Sequence, residues 1–277
     1  MLDTSAITNK IVERLKAGVS GNFIMPWNQS SGMPVNSTTG ASYTGINTLI
    51  LWCESMDKGY ASNTWATYKQ WQSIECQVKK GSESTRCYKY GTGTKEVDGV
   101  EKGYKYLKPF CLFNAEQVDG YTQPEQAIIA NLDTVDGYIA ATGAIIGTSN
   151  RACYIPSADK IEMPPMNSFR TQDGYYSVLL HELTHWTGAT SRLNRDIKNK
   201  FGDHGYAFEE LVAELGAAFL CAQLGVTNDI REDHIQYLAS WIKVLESDTT
   251  AIFKAAALAN KAAEYLISFS HQESIAA

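Results

Sequence analysis

No run of about 18 apolar residues occurs in the chain, so no membrane-spanning helix is expected. The first residues, MLDTSAITNKIVERLKAG, lack an unbroken apolar core and do not read as a signal peptide. The six cysteines, at 53, 76, 87, 111, 153 and 221, include no CxxC pair. Scattered thiols of this kind speak against a disulfide framework and fit a reduced, cytoplasmic protein. No tandem repeat appears. Aspartate-rich clusters of the two-metal nuclease type are also missing, which makes nuclease chemistry the weakest enzymatic reading.

What is present is enough for a proper core. The chain has 277 residues, 44% of them hydrophobic and 19% charged, which suits one large domain or two small ones. The net charge of −6 hides a split. Residues 1–123 carry 13 basic and 11 acidic side chains, and residues 124–277 carry 11 and 19. Ten of the basic side chains lie between Lys58 and Lys108, against five acidic ones. Two halves facing different partners would look like this.

The local patterns differ on the two sides of DGYTQPEQ (119–126), a Gly/Pro-bearing stretch expected to be a linker. Before it, an amphipathic helix is expected at the N-terminus, with Ile7, Ile11, Val12 and Leu15 on one side. TLILWCESM and WATYKQWQSI read as helices, the second capped by Thr64 or Ser62. STRCYKYGTGTKEV and KYLKPFCLFNAEQV read as strands joined by the charged loop TGTKEVDGVEKG. After the linker, PEQAIIANLD reads as a helix start and RACYIPSADKIEMP as a hairpin. TQDGYYSVLLHELTHWTG reads as a helix capped by Thr171 and stopped by Gly188. Three more helices follow, YAFEELVAELGAAFLCAQLG, REDHIQYLASWIKVLES and TAIFKAAALANKAAEYLISF. The expected fold is therefore α+β: an α+β unit over 1–123, then a mainly helical unit over 124–277 with a small hairpin or sheet.

The helix around LLHELTHWTG holds the strongest chemical signal. Four residues advance a helix by ~6 Å and return it to nearly the same face. His181 and His185 can therefore reach one divalent cation. Such an ion lowers the pKa of a bound water towards ~7, and the neighbouring Glu182 is placed to take its proton. Leu179, Leu180, Leu183 and Trp186 would anchor the helix in a core. A catalytic zinc site needs a third protein ligand and one open position. FEELVAELGAAF offers Glu209, Glu210 and Glu214. Glu210 and Glu214 share a face of small or apolar residues, where unpaired carboxylates would be costly. Glu209 is expected on the surface. Tyr206 is the candidate donor to an oxyanion, ahead of His204, which reads as an exposed loop residue. His234 and His271 are expected at the surface.

An HExxH helix followed 20–30 residues later by two acids four apart is similar to the gluzincin metallopeptidases. That resemblance implies Glu210 as the third ligand and Glu214 as the acid that orients a ligand histidine. Position 214 departs from the family pattern, where Asp or Asn is more usual, so Glu214 stays the alternative ligand.

The likeness extends further. HELTHWTGATSRLNRD and FGDHGYAFEELVAELGAAFLCAQLG resemble the C-terminal metallopeptidase domain of ArdC-type antirestriction proteins. PWN, PVNSTTGASYTGIN, GYASNTWATYKQW, VKKGSESTRCYKY and FCLFNAEQVDGY resemble that family's N-terminal single-stranded-DNA-binding domain. The resemblance implies a plasmid- or phage-borne protein that binds single-stranded DNA and helps incoming DNA, as in conjugation, escape host restriction. The cofactor it implies is one divalent metal, zinc first and manganese second. The basic stretch suits a single strand, held by cations plus aromatic faces on which bases stack. Lys69, Lys79, Lys80, Arg86, Tyr88, Lys89 and Tyr90 are the candidate contacts, while Trp65 and Trp71 are expected in the core. Two rival functions keep the same fold. One is a metalloprotease acting on DNA-bound or crosslinked proteins, with restriction-system subunits among its candidate substrates. The other is a non-catalytic strand coat with a structural metal.

Overall fold

A computed structural model describes residues 5–19, 27, 32–97, 100–123, 132–197, 203–227 and 234–271. The chain divides into two compact units, Met33–Glu125 and Thr4–Gly32 with Gln126–Ala277. Both mix helices and strands, an α+β architecture. Helix α1 (Ser5–Val19) opens the chain.

The Met33–Glu125 unit contains β1 (Val35–Asn36), α2 (Ile46–Lys58), β2 (Thr64–Ala66), α3 (Tyr68–Ser73), β3 (Gln77–Val78), β4 (Thr85–Val97), β5 (Val100–Asn114) and β6 (Val118–Asp119). A sheet runs in the order β1-β2-β5-β4, and β3 pairs with β6. Trp65 belongs to strand β2, not to the helix expected there, and α3 is capped by Thr67 instead of Thr64 or Ser62. Thr67 and Gln70 exchange side-chain and backbone hydrogen bonds as a capping box. Trp65 and Trp71 are fully buried, as their spacing suggested. Leu51, Trp65, Cys87 and Leu112 close one core cluster, and Trp71 centres another. The described residues of the charged loop expected between the two long strands are themselves strand: β4 and β5 pair in register from Thr85↔Leu112 out to Val97↔Val100. The hairpin thus continues well past the core.

The other unit contains α4 (Leu132–Ala141), β7 (Ile145–Thr148), β8 (Cys153–Ile155), β9 (Lys160–Met163), α5 (Gln172–Thr187), α6 (His204–Leu224), α7 (His234–Ser247) and α8 (Ala251–Ile267). Most of PEQAIIANLD lies outside the described residues. β8 and β9 form the expected hairpin, and β7 joins β9 in parallel. Thr171 caps α5 by accepting from the Gly174 amide, and Gly188 follows its last residue. Helix α6 is apolar nearly all round and lies at the centre of the helical layer, against α5, α7 and α8. Ala255, Ala256, Ala259, Ala262 and Ala263 of α8 are buried, and such small side chains let the helices approach closely.

By its contacts helix α1 groups with Gln126–Ala277 and not with Met33–Glu125. The apolar stripe of α1, with Ile11, Val12 and Leu15 buried, packs on α7. The Thr8 hydroxyl donates to the Thr249 carbonyl at 2.6 Å, tying the helix down. An amphipathic helix is stabilised by whichever groove buries its stripe, and here that groove is distant in sequence.

Candidate functional site

Helix α5 buries His181 and Glu182 and leaves His185 only slightly exposed. Leu179, Leu180, Leu183 and Trp186 are in the core, as expected of its anchors. Gly216 lets α6 come against this helix: a Cβ there would lie 2.5 Å from the Thr184 Cγ2. The approach carries Glu210 to the histidines. His185 Nε2 is 3.5 Å from Glu210 Oε1, and His181 Nε2 is 3.6 Å from Glu210 Oε2. Ligands held at 2.0–2.2 Å around a tetrahedral ion lie about 3.3–3.6 Å apart. The donor set of two imidazoles and one carboxylate, with atoms within 4.8 Å of one another, therefore fits one divalent cation.

Each histidine has its own carboxylate on the far side. Glu214 Oε2 lies 3.9 Å from His181 Nδ1, and Glu214 Oε1 accepts from Trp27 Nε1 at 3.3 Å. Glu214 is thus beside the first histidine rather than in the donor set. Glu209, expected at the surface, is buried. Its Oε1 is 3.2 Å from His185 Nδ1. Arg195 grips the same carboxylate through both oxygens, at 2.8 and 3.1 Å, and also donates to the Thr184 carbonyl and the Thr187 hydroxyl. A glutamate directly before Glu210 on a helix lies about 100° around the axis, which read as the wet side. The segment after α5 folds back and covers that side with Arg195. Burial would raise the Glu209 carboxyl, but His185 and the Arg195 guanidinium hold it below the ordinary carboxylate value. Burial would lower His185, but Glu209 and Glu210 raise it to about 10.

A cavity of about 310 Å³ opens onto these groups, lined also by Cys153, Tyr154, Tyr206 and Tyr237. The Tyr154 backbone amide, on edge strand β8, donates to Glu182 Oε2 at 2.8 Å. Arg192 keeps that strand in place. Its guanidinium stacks 3.8 Å over the Trp186 ring and bonds to Asp159 and the Tyr154 hydroxyl. Tyr206 lies in the first turn of α6, and His204, expected in a loop, is the first residue of that helix. The Tyr206 hydroxyl is 3.3 Å from that of Tyr237. Burial, Tyr237 and Glu210 all push its pKa well above the ordinary phenol value, which keeps it a donor. His204 is exposed and lies 3.1 Å from the Ser247 hydroxyl. The side chains of His234 and His271 lie outside the described residues.

The residues expected to touch DNA spread over several elements. Lys69 is on α3, while Lys79 and Lys80 follow β3; all three are exposed. Lys79 Nζ donates to the Glu116 carbonyl at 3.0 Å. Arg86, Tyr88 and Tyr90 alternate along β4, with Lys89 on its opposite face. Tyr90 is 59% exposed, but Tyr88 is 7% exposed and has no open ring face to offer a base. The Asn47 side chain holds its backbone through both N–H and carbonyl. Two exposed tyrosines that were not singled out, Tyr104 and Tyr106, lie on β5. Their signal was the alternation in GYKYLK opposite the glycines of YGTGTK.

Comparisons with known proteins agree with this geometry. Residues 133–258 match the zincin-like metallopeptidase family, and residues 4–125 match the N-terminal domain of anti-restriction factor ArdC. The chain is 35% identical to protein y4eC of Sinorhizobium fredii, over 94% of this chain and 90% of that one. It is 36% identical to the DNA primase TraC of Escherichia coli, where it spans 27% of the primase's length. The metal-free crystal structure of antirestriction protein ArdC from plasmid R388 superimposes with a TM-score of 0.84 at 39% identity, covering 98% of this chain and 99% of that one. Its Mn(II)-bound structure gives 0.81 at 38% identity, covering 97% and 98%. With two-domain agreement along nearly the whole chain, the protein belongs to the ArdC antirestriction family and carries that family's zincin-like domain.

Proposed function

We propose that this chain is a metal-dependent peptidase that also binds single-stranded DNA, and that it protects incoming plasmid or phage DNA from restriction. The observation that carries the enzymatic part is the convergence of His181, His185 and Glu210 beside Glu182 in an open cavity. A divalent ion held by His181, His185 and Glu210 would supply a Lewis acid for a peptide carbonyl and a water nucleophilic near neutral pH. Glu182 is the group placed to take a proton from the attacking water, with one of its oxygens anchored by the Tyr154 amide. Tyr206 donates to the oxygen on which negative charge develops. Glu209 orients His185 and is itself held by Arg195, while Glu214 lies on the Nδ1 side of His181. Zinc suits this donor set with one position left open. Manganese is the second candidate, being the ion in the R388 relative.

Metal analysis tests the assignment. Wild-type protein should hold about one equivalent, lost in His185→Ala and Glu210→Ala and kept in Glu214→Ala. Equal content in wild type and His185→Ala would refute the site. Metal uptake competes with protons for the histidines, and Glu209 and Glu210 hold the His185 pKa up. Affinity should therefore keep rising with pH through the neutral range, beyond the ordinary imidazole value of ~6.5.

The DNA-binding role is assigned to the Met33–Glu125 unit, which holds the basic stretch Lys58–Lys108. A fragment of residues 33–125 should bind single strands in preference to duplex. Its affinity should fall steeply with salt as phosphate contacts release counterions. Equal single-strand binding by the other unit alone would show that the roles are not divided in this way.

A further inference from the structure

The distal arm of the β4–β5 hairpin has an ordered pattern that packing does not require. Residues directly opposite in an antiparallel pair share a face, as do every second residue along each strand. The register Lys89↔Lys108, Gly91↔Tyr106, Gly93↔Tyr104, Lys95↔Lys102 therefore places four lysines and two tyrosines on one face. A Cβ at Gly91 would lie 2.3 Å from the Tyr106 ring, and one at Gly93 would lie 2.8 Å from the Tyr104 ring. Each tyrosine ring thus lies over its opposite glycine and stays partly open to solvent, Tyr104 43% and Tyr106 41% exposed. The ring centroids are 6.0 Å apart.

Aromatic cover for strand glycines explains the rings by themselves. It does not explain the lysines. Like charges directly opposite each other destabilise a strand pair, and this face has two such pairs, one at each end of the tyrosines. The acidic pair of the arm, Glu96↔Glu101, falls on the opposite face. A polyanion laid along the face would relieve both lysine pairs.

We infer that this face is a stacking platform for single-stranded DNA, with bases on Tyr104 and Tyr106 and phosphates on Lys89, Lys95, Lys102 and Lys108. The inference rests on the single-strand reading proposed above and names the site within it. Two flat rings flanked by cations take unpaired bases without reading their sequence. Duplex DNA keeps its bases stacked on each other and offers them no face.

The test is fluorescence anisotropy of a labelled oligothymidine with the full chain. Tyr104→Leu with Tyr106→Leu keeps apolar cover on the glycines but removes the aromatic faces, and should weaken binding roughly tenfold or more. Tyr104→Phe with Tyr106→Phe keeps the rings and should bind within about twofold of wild type. Unchanged melting of the Leu variant excludes misfolding as the cause. Lys95→Gln with Lys102→Gln should reduce the salt dependence. A wild-type chain that binds no single strands would overturn the single-strand reading and the platform with it. Wild-type binding matched by the Leu variant would overturn the platform alone. Tighter binding of oligouridine RNA than of DNA would replace the ligand named here.

Discussion

Glu182→Gln should lower proteolysis of a denatured substrate such as reduced casein, assayed with metal and single-stranded DNA, by roughly 10²–10⁴-fold. The amide keeps the side chain's shape and an oxygen acceptor for the Tyr154 N–H. It cannot take the proton from water. His181, His185 and Glu210 are untouched, so metal content should stay at about one equivalent. Single-strand affinity should stay within about twofold, because the altered atom is in the other unit from the basic stretch. Transfer of an unmodified plasmid into a restricting host then separates the two routes to protection. Coating a strand needs no specific protein target, so the Gln variant should still protect. The variant with Tyr104→Leu and Tyr106→Leu should not. A Gln variant that binds metal and DNA normally and yet fails to protect would make proteolysis the route.

Arg195→Ala should destabilise the Gln126–Ala277 unit more than any other single side-chain loss near the site. Arg195 is almost fully buried and makes two bonds to Glu209, one to the Thr184 carbonyl and one to the Thr187 hydroxyl. Removing it leaves the buried Glu209 carboxylate with only His185 as charge partner, at a cost of up to about 3–5 kcal/mol. At about 2–4 °C per kcal/mol for a domain of this size, the melting temperature should fall by roughly 6–20 °C. Glu209→Gln with Arg195→Met removes both charges and should recover much of that loss. Metal affinity should nonetheless stay down by about 10–100-fold, because His185 has lost the carboxylate that orients it. If the double variant bound metal like wild type, Glu209 would be a packing residue only. If Arg195→Ala melted like wild type, the buried pair would contribute no net stability.

Much of the site was legible because helices impose a fixed geometry on local spacing. His181 and His185 had to share a face of any helix that held them, and Glu210 and Glu214 likewise. Element types followed from hydrophobic period and end signals, as in α5 between Thr171 and Gly188. The family likeness was carried by ordered motifs along both halves. Boundaries and partners were less legible. Trp65 went to a strand because β5 was there to pair with it. The helix α1 went to α7 because its stripe found a groove far along the chain. Glu209 changed from a surface acid to an orienting one because the return of Arg195 buried it.

The hairpin arm shows the division most clearly. Alternation in STRCYKYGTGTKEV and KYLKPFCLFNAEQV indicated two strands, and local composition showed them to be basic. Only the register decided that Tyr104 and Tyr106 face glycines and that four lysines join them on one face. A slip of one residue would send that set to opposite sides. The same holds at the metal centre. The spacing within α5 and within α6 was written in the chain. The convergence of the two helices depended on a glycine, Gly216, meeting Thr184 across the helix interface. Contacts of that kind join residues whose separation in sequence has no period, so no local pattern can announce them.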